Sequence, residues 1–162
     1  MITSLTYIQL LESPHLFSLV TSWKELFPEV FQNYPNDSLR ETLSLAGMDQ
    51  TSHILLSLQD DQLIGSLCYK FSEDPALYSH KLPPGSLFFY NLFVLPKFQR
   101  QGKAHELLQK IEGDHPQKKI TLMVLAQNDK AIRLYVKEDY RVRRALEHGF
   151  LMEKNLTKSI LE

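Results

Sequence analysis

Gln99, Arg100, Gln101, Gly102, Lys103, Ala104 and His105 stand between an apolar run that breaks at Pro96 and a stretch with helical spacing. A strand that turns into a helix at this point presents the first N–H groups of the helix and the positive end of its dipole. Small residues at 102 and 104 let a ligand approach the backbone, while Arg100, Lys103 and His105 add cationic or hydrogen-bonding groups. Such a loop is a cradle for a pyrophosphate and requires no metal. It equally serves as a plain strand-to-helix connection, so the loop alone does not decide. Two other phosphate motifs are excluded. A P-loop needs glycine at 97 and serine or threonine at 104, where the chain has Lys97 and Ala104, and no G-x-G-x-x-G is present.

A second group of residues lies downstream. Asn128 suits the N-cap of a helix over NDKAIRLYVKEDY, and Tyr135 follows about two turns later. Ala131, Leu134 and Tyr135 form an apolar stripe, so packing alone accounts for the tyrosine as well as chemistry does. His15, His53, His115 and His148 make no ligand-spaced cluster, and His105-Glu106 lacks the second histidine of H-E-x-x-H because position 109 is Gln109. No metal chemistry is expected. Cys68, the single cysteine, has no basic neighbour to activate it and reads as a small buried hydrophobe.

These residues need elements to hold them. SLTYIQLLE has strand character. Leu16, Leu19, Val20, Trp23 and Phe27 then recur at helical spacing, with Ser13 as N-cap and Pro14 in the first helical position. PEVFQNYPND reads as a loop, and Ser38 with Glu41 forms a capping box for a short helix that Gly47 stops. HILLSLQDDQLIGSLCYKF is a hairpin turning at residues 59–62, followed by a long loop over SEDPALYSHKLPPGS. Strands are expected over residues 88–95 and 120–126. Between them lies a helix that buries Ala104, Leu107, Leu108 and Ile111 and ends at Gly113. RVRRALEHGFLMEKNL closes the chain as a hairpin. The resulting order, β-α-α-β-β-β-α-β-α-β-β, describes an α/β (α+β) fold with a mixed, mostly antiparallel sheet, and leaves no room for a doubly wound nucleotide fold.

Composition narrows the function classes. With 162 residues, 43% hydrophobic and 23% charged, the chain reads as one globular domain over residues 1–162. Eighteen basic against nineteen acidic side chains give a net charge of -1, so no global field draws it to nucleic acid or an anionic membrane. The first residues lack the pattern of a signal peptide, and no run has the length of a membrane span, so the cytoplasm is the expected compartment.

NLFVLPKFQRQGKAHELL resembles the acetyl-CoA motif of the GNAT N-acetyltransferase superfamily, Q/R-x-x-G-x-G/A after a strand ending in V-x-P. Gln99, Gly102 and Ala104 fill it, with Val94 and Pro96 upstream. NDKAIRLYVKEDY is similar to the family's second motif, N-x-x-A-x-x-L-Y-x-K-x-G-F/Y, through Asn128, Ala131, Leu134, Tyr135, Lys137 and Tyr140; Asp139 replaces the usual glycine. The close resemblance covers residues 87–156. It implies a GNAT-like fold whose fourth and fifth strands splay apart to admit the pantetheine arm of acetyl-CoA. Backbone groups of Leu92, Phe93 and Val94 would hold that arm and supply an oxyanion donor, residues 99–105 would hold the pyrophosphate, and Asn128 would touch the cofactor. Tyr135 would act as general acid toward the departing thiolate.

The resemblance does not supply a base. Family members often carry a glutamate where this chain has Tyr90 or Met123. Tyr90 is a candidate for relaying a proton through water, and Glu73, Asp74 or His80 are alternatives from the long loop. Phe31, Tyr34, Glu29, Glu73 and Asp74 suit a cationic amine acceptor, whereas Arg141, Arg143 and Arg144 argue for an anionic substituent. Three functions stay open. One is an N-acetyltransferase, monomer or homodimer, moving acetyl from acetyl-CoA to a primary amine by direct attack in a ternary complex. The second is a catalytically silent acyl-CoA sensor, and the third a generic α/β interaction domain without cofactor.

Overall fold

A computed structural model describes residues 1–31, 39–71, 85–116 and 118–156. In chain order the elements are β1 (Ile2–Thr6), α1 (Tyr7–Leu11), α2 (Leu16–Leu26), α3 (Pro28–Phe31), α4 (Leu39–Leu45), β2 (His53–Gln59), β3 (Gln62–Phe71), β4 (Ser86–Val94), α5 (Lys103–Asp114), β5 (Lys119–Leu125), α6 (Asp129–Lys137), β6 (Arg141–Ala145) and β7 (Gly149–Asn155). The strands form one sheet in the order β1-β2-β3-β4-β5-β7-β6. It is mixed, as expected: β4 and β5 are parallel, while β1 with β2, β5 with β7, and β6 with β7 are antiparallel.

By its contacts the described chain forms two compact units. The first is Met1–Cys68 with Asn91–Leu107, and the second is Tyr69–Tyr90 with Leu108–Glu162. β3, β4 and α5 each contribute residues to both.

In the first unit, sequence and structure differ at three helix starts. The opening strand stops at Thr6, because Thr6 and Gln9 form a capping box that starts α1: the Gln9 N–H donates to Thr6 Oγ1 and the Thr6 N–H to Gln9 Oε1. Ser13 does not cap α2. Its hydroxyl accepts from the His15 N–H at 3.1 Å and its carbonyl from the Leu16 N–H at 3.2 Å, closing a local turn that delays the helix to Leu16, with His15 at the N-cap. Pro28, whose ring presets a helical φ, opens the short α3 inside a segment read as loop. The expected Ser38 cap lies outside the described residues.

Gly47 does stop α4, at φ 84°. The Met48 N–H donates to the Leu43 carbonyl at 2.9 Å and the Gly47 N–H to that of Ser44 at 3.0 Å, the paired bonds of a Schellman motif. β2 and β3 meet through Asp60 and Asp61, both at positive φ (51° and 62°), as a two-residue hairpin turn demands. Leu19, Trp23, Leu43, Leu55 and Ile64 are fully buried and supply much of this unit's apolar core.

In the second unit, α5 continues through Gly113 to Asp114 instead of ending at the glycine. The Lys110–Asp114 ion pair at 3.1 Å spans that last turn. β5 pairs with β7 along its whole length, from Lys119↔Asn155 to Leu125↔Gly149. Its parallel register with β4 covers only Ser86–Phe88 against Lys119–Thr121, and Thr121 Oγ1 donates to the Leu87 carbonyl at 3.3 Å where that register ends. β6 bulges between Val142 and Arg144. Among the described residues, no helix is long and apolar enough to cross a membrane.

Candidate functional site

Residues 91–105, where the sequence predicts a cradle, lie in the first unit and are shaped by their backbone. Asn91 breaks the extended run of β4 with φ 51°, which asparagine tolerates better than most residues. Its side-chain amide donates to the Ala46 carbonyl at 2.6 Å, tying the kink to the end of α4. Gly65 of β3 lies so close that a Cβ there would stand 2.7 Å from the Phe93 carbonyl oxygen. The next ties are the Leu95 N–H to the Ile64 carbonyl at 2.8 Å and Gln99 Nε2 to the Val94 carbonyl at 2.9 Å.

A 3₁₀ turn over Pro96–Phe98 leads into the loop, which reverses at Arg100 (φ 61°) and Gly102 (φ 77°). The Glu106 N–H donates to the Gly102 carbonyl at 3.0 Å and opens the i to i−4 ladder of α5, so Lys103 and Ala104 precede it. Lys103 and Ala104 are half-buried, and Arg100, Gln101, Gly102 and His105 are exposed. Phe93 is buried between half-buried Leu92 and Val94. Gln101 Nε2 reaches the Lys97 carbonyl at 3.4 Å, and Lys103 pairs with Glu106 at 3.7 Å; both contacts are at the surface and contribute little.

Tyr135 lies in the second unit, among packed side chains. Asn128 caps α6 as expected, its Oδ1 accepting from the Ala131 N–H at 3.2 Å. Tyr135 is buried, edge-on to Phe89 (centroids 5.7 Å apart) and to Tyr140 (6.1 Å). Burial pushes its pKa well above the ordinary tyrosine value, so the hydroxyl keeps its proton throughout the neutral range.

α6 ends in another Schellman motif. The Tyr140 N–H donates to the Tyr135 carbonyl at 2.9 Å and the Asp139 N–H to that of Val136 at 3.1 Å, with Asp139 at φ 70° in the place usually given to glycine. Tyr140 Oη donates to Glu112 Oε1 at 3.3 Å, and Lys154 Nζ donates to the same oxygen at 2.9 Å. Burial first, then the charge and hydrogen bond of Glu112, push the Tyr140 pKa up.

The remaining candidates are placed as follows. Tyr90 is half-buried, stacked on Phe88 at 5.9 Å with Lys70 Nζ 5.9 Å from its ring centroid. Met123 is half-buried on β5. Glu29 is exposed and Phe31 buried, while Tyr34, Glu73, Asp74 and His80 lie outside the described residues. Arg141, Arg143 and Arg144 are exposed on β6, and Arg143 Nε is 3.5 Å from Glu153 Oε2. Cys68 is fully buried with its thiol 3.9 Å from Met48 Sδ. Among the described residues, no three His, Cys, Asp or Glu side chains gather as a metal site would require.

The sequence profile described as the Acetyltransferase (GNAT) family matches residues 16–140. The chain belongs to the GNAT acetyltransferase family. No curated protein matches it. Solved GNAT structures share its fold at low identity. The PaiA N-acetyltransferase of Thermoplasma acidophilum in complex with coenzyme A is 18% identical, with 96% of this chain and 99% of that one covered and a TM-score of 0.66. An aminoglycoside 6'-N-acetyltransferase complexed with coenzyme A is 14% identical over 96% and 97%, with a TM-score of 0.70. Arabidopsis thaliana NAA60 in complex with a bisubstrate analogue is 17% identical over 96% and 98%, with a TM-score of 0.63.

Within this GNAT chain, sequence reasoning missed Asn91, Glu112 and Lys154. Asn91 left one signal: asparagine is depleted in strands and enriched at positive φ, so its place inside an apolar run marks a kink. Glu112 and Lys154 read as ordinary surface charges, because nothing local ties α5 to β7.

Proposed function

We propose that this chain transfers an acetyl group from acetyl-CoA to a primary amine by direct attack in a ternary complex, acting as one acetyltransferase domain over residues 1–162. The observation that carries the reading is Tyr135: a buried, proton-bearing tyrosine two turns into a helix capped by Asn128, in a chain of the acetyltransferase family. The fold-mates PaiA and the aminoglycoside acetyltransferase hold coenzyme A, which supports an acyl-CoA donor here. NAA60 holds a bisubstrate analogue, which fits both substrates being bound together.

Each part of the chain has a task. Residues 99–105 present a helix start and cationic side chains to the pyrophosphate, and Asn128 lies against the cofactor arm. Backbone groups of Leu92, Phe93 and Val94 hold the arm, and one amide donates to the carbonyl oxygen as negative charge develops there. The amine nitrogen forms its bond to the carbonyl carbon. As the carbon–sulfur bond breaks, Tyr135 Oη gives its proton to the thiolate. The proton lost by the amine leaves through water, with Tyr90 as the relay. Cys68 takes no part, since a buried thiol against Met48 is neither accessible nor activated.

One observation favours the second reading, an acyl-CoA sensor: neither Tyr90 nor Met123 is a carboxylate. A panel of primary amines incubated with acetyl-CoA separates the two. Thiol release together with a mass gain of one acetyl group on an amine is the expected result. Acetyl-CoA binding by calorimetry without thiol release on any amine would favour the sensor. Absence of binding at micromolar protein would remove both.

A further inference from the structure

Phe89, Tyr135 and Tyr140 form a closed triangle of rings, with centroids 5.7, 5.9 and 6.1 Å apart and every pair meeting edge to face. Tyr135 is joined to Tyr140 through the backbone as well, since the two are the outer partners of the Schellman bond that ends α6. Where Tyr140 sits therefore helps set where Tyr135 sits. Tyr140 in turn is fixed from two other elements. Its hydroxyl donates to Glu112 of α5, and Lys154 of β7 grips the same carboxylate oxygen while its ammonium lies 5.8 Å from the Tyr140 ring centroid. Glu112 and Lys154 are mostly buried, at 14% and 19% side-chain exposure, so the pair is screened far less than a surface ion pair.

We propose that Glu112, Lys154 and Tyr140 are positioning residues that hold the Tyr135 hydroxyl in place, the clamp on Tyr140 being transmitted ring to ring. The assignment rests on the reading of Tyr135 as the proton donor, yet the clamp is testable without turnover. None of the three touches substrate in this account. Glu112 keeps the Tyr140 hydroxyl pointed at α5, Lys154 keeps the Glu112 carboxylate from swinging to solvent, and the Tyr140 ring packed edge to face on Tyr135 limits tilting of that side chain about Cα–Cβ. A tyrosine that tilts about its Cα–Cβ bond carries its hydroxyl with it, and misplacement by about 1 Å is enough to cost on the order of 100-fold in rate.

The test uses the full chain with ring-labelled tyrosine, comparing parent, Tyr140→Phe and Glu112→Gln by NMR. Tyr140→Phe keeps the ring and removes only the donor. Glu112→Gln keeps an acceptor but removes the charge that holds Lys154. In the parent, Tyr135 holds one side-chain rotamer; in Tyr140→Phe its ring resonances shift and broaden as a second rotamer about Cα–Cβ becomes populated, with an intermediate effect in Glu112→Gln. On any amine that supports turnover, kcat of Tyr140→Phe falls about tenfold with KM for acetyl-CoA unchanged. That loss disappears when Tyr135 is already phenylalanine, because a clamp has nothing left to position. Identical Tyr135 ring resonances in all three proteins would overturn the clamp, as would losses that simply multiply in the double variant. A Tyr135→Phe variant that keeps full turnover would instead overturn the reading of Tyr135, while leaving the ring measurement to judge the clamp separately. If Tyr140→Phe loses its fold, Glu112→Gln carries the same comparison.

Discussion

Residues 91–105 and the surroundings of Tyr135 are held in shape in opposite ways. The first region works through main chain: Asn91, Arg100 and Gly102 hold positive φ, and carbonyls of Val94 and Phe93 are fixed by Gln99 and by the close approach of Gly65. The second works through side chains: the rings of Phe89, Tyr135 and Tyr140 meet edge to face, and Glu112 holds both the Tyr140 hydroxyl and the Lys154 ammonium. A backbone device is sensitive to which residue can adopt a given φ and tolerant of what the side chain is. A packed device is sensitive to single atoms. Substitutions should therefore separate the two regions by the kind of change that hurts.

The largest effect is expected from removing one atom in the packed region. Tyr135→Phe keeps the ring triangle and lowers kcat by about 10²- to 10⁴-fold, the scale of a general acid, with little change in melting temperature or acetyl-CoA affinity. Turnover equal to the parent's would reduce Tyr135 to packing.

In the backbone region a loss needs a change of conformation. A Cβ at Gly102 would meet nothing within 4 Å, so space is not at issue there, whereas φ 77° is. Gly102→Val should weaken acetyl-CoA binding about tenfold, from a left-handed penalty of about 1–2 kcal/mol, and Gly102→Asn by clearly less. Equal losses from valine and asparagine, measured by calorimetry, would show that the ligand and not the backbone sets the requirement.

Asn91 allows the two kinds of cost to be divided at one position. Asn91→Gly keeps the positive φ and loses only the bond to Ala46, about 1 kcal/mol; Asn91→Ala loses the bond and pays the φ penalty too, about 2–3 kcal/mol in all. Denaturant midpoints decide, and an alanine variant as stable as the glycine one would mean that the kink relaxes. The smallest effect belongs to Cys68→Ala. About 1–2 kcal/mol of stability is lost to the vacated volume, and kcat at 25 °C is unchanged. Loss of turnover in the folded variant would reopen an acyl-cysteine route.

The contrast also explains what was readable in advance. Gly102 and Ala104 are local signals, since a left-handed turn before a helix has a composition of its own, and Asn128 followed by Tyr135 is a spacing along one helix. The mixed sheet, the hairpin at Asp60-Asp61 and the stop at Gly47 were legible for the same reason. The clamp was not, because Glu112, Tyr140 and Lys154 come from separate elements and meet only once α5, α6 and β7 are packed. The start of α2 was misplaced because Ser13 has two local uses for its oxygens, a helix cap or a tight turn, and the residues at 13–16 do not say which one the backbone takes.

Seven residues of β5 find their antiparallel partners on β7, from Leu125↔Gly149 to Lys119↔Asn155, while the register with β4 stops at Phe88↔Thr121. During synthesis this makes β5 an orphan. It leaves the ribosome able to pair with at most a short stretch of β4 and waits for residues 149–155 before its other edge is covered, exposing an apolar strand to chaperones in the interval. Nascent chains stalled with residue 145 outside the exit tunnel should remain sensitive to protease within β5, and those stalled past residue 155 should not. Protection already present at the earlier stall would show that β4 alone suffices to shelter it.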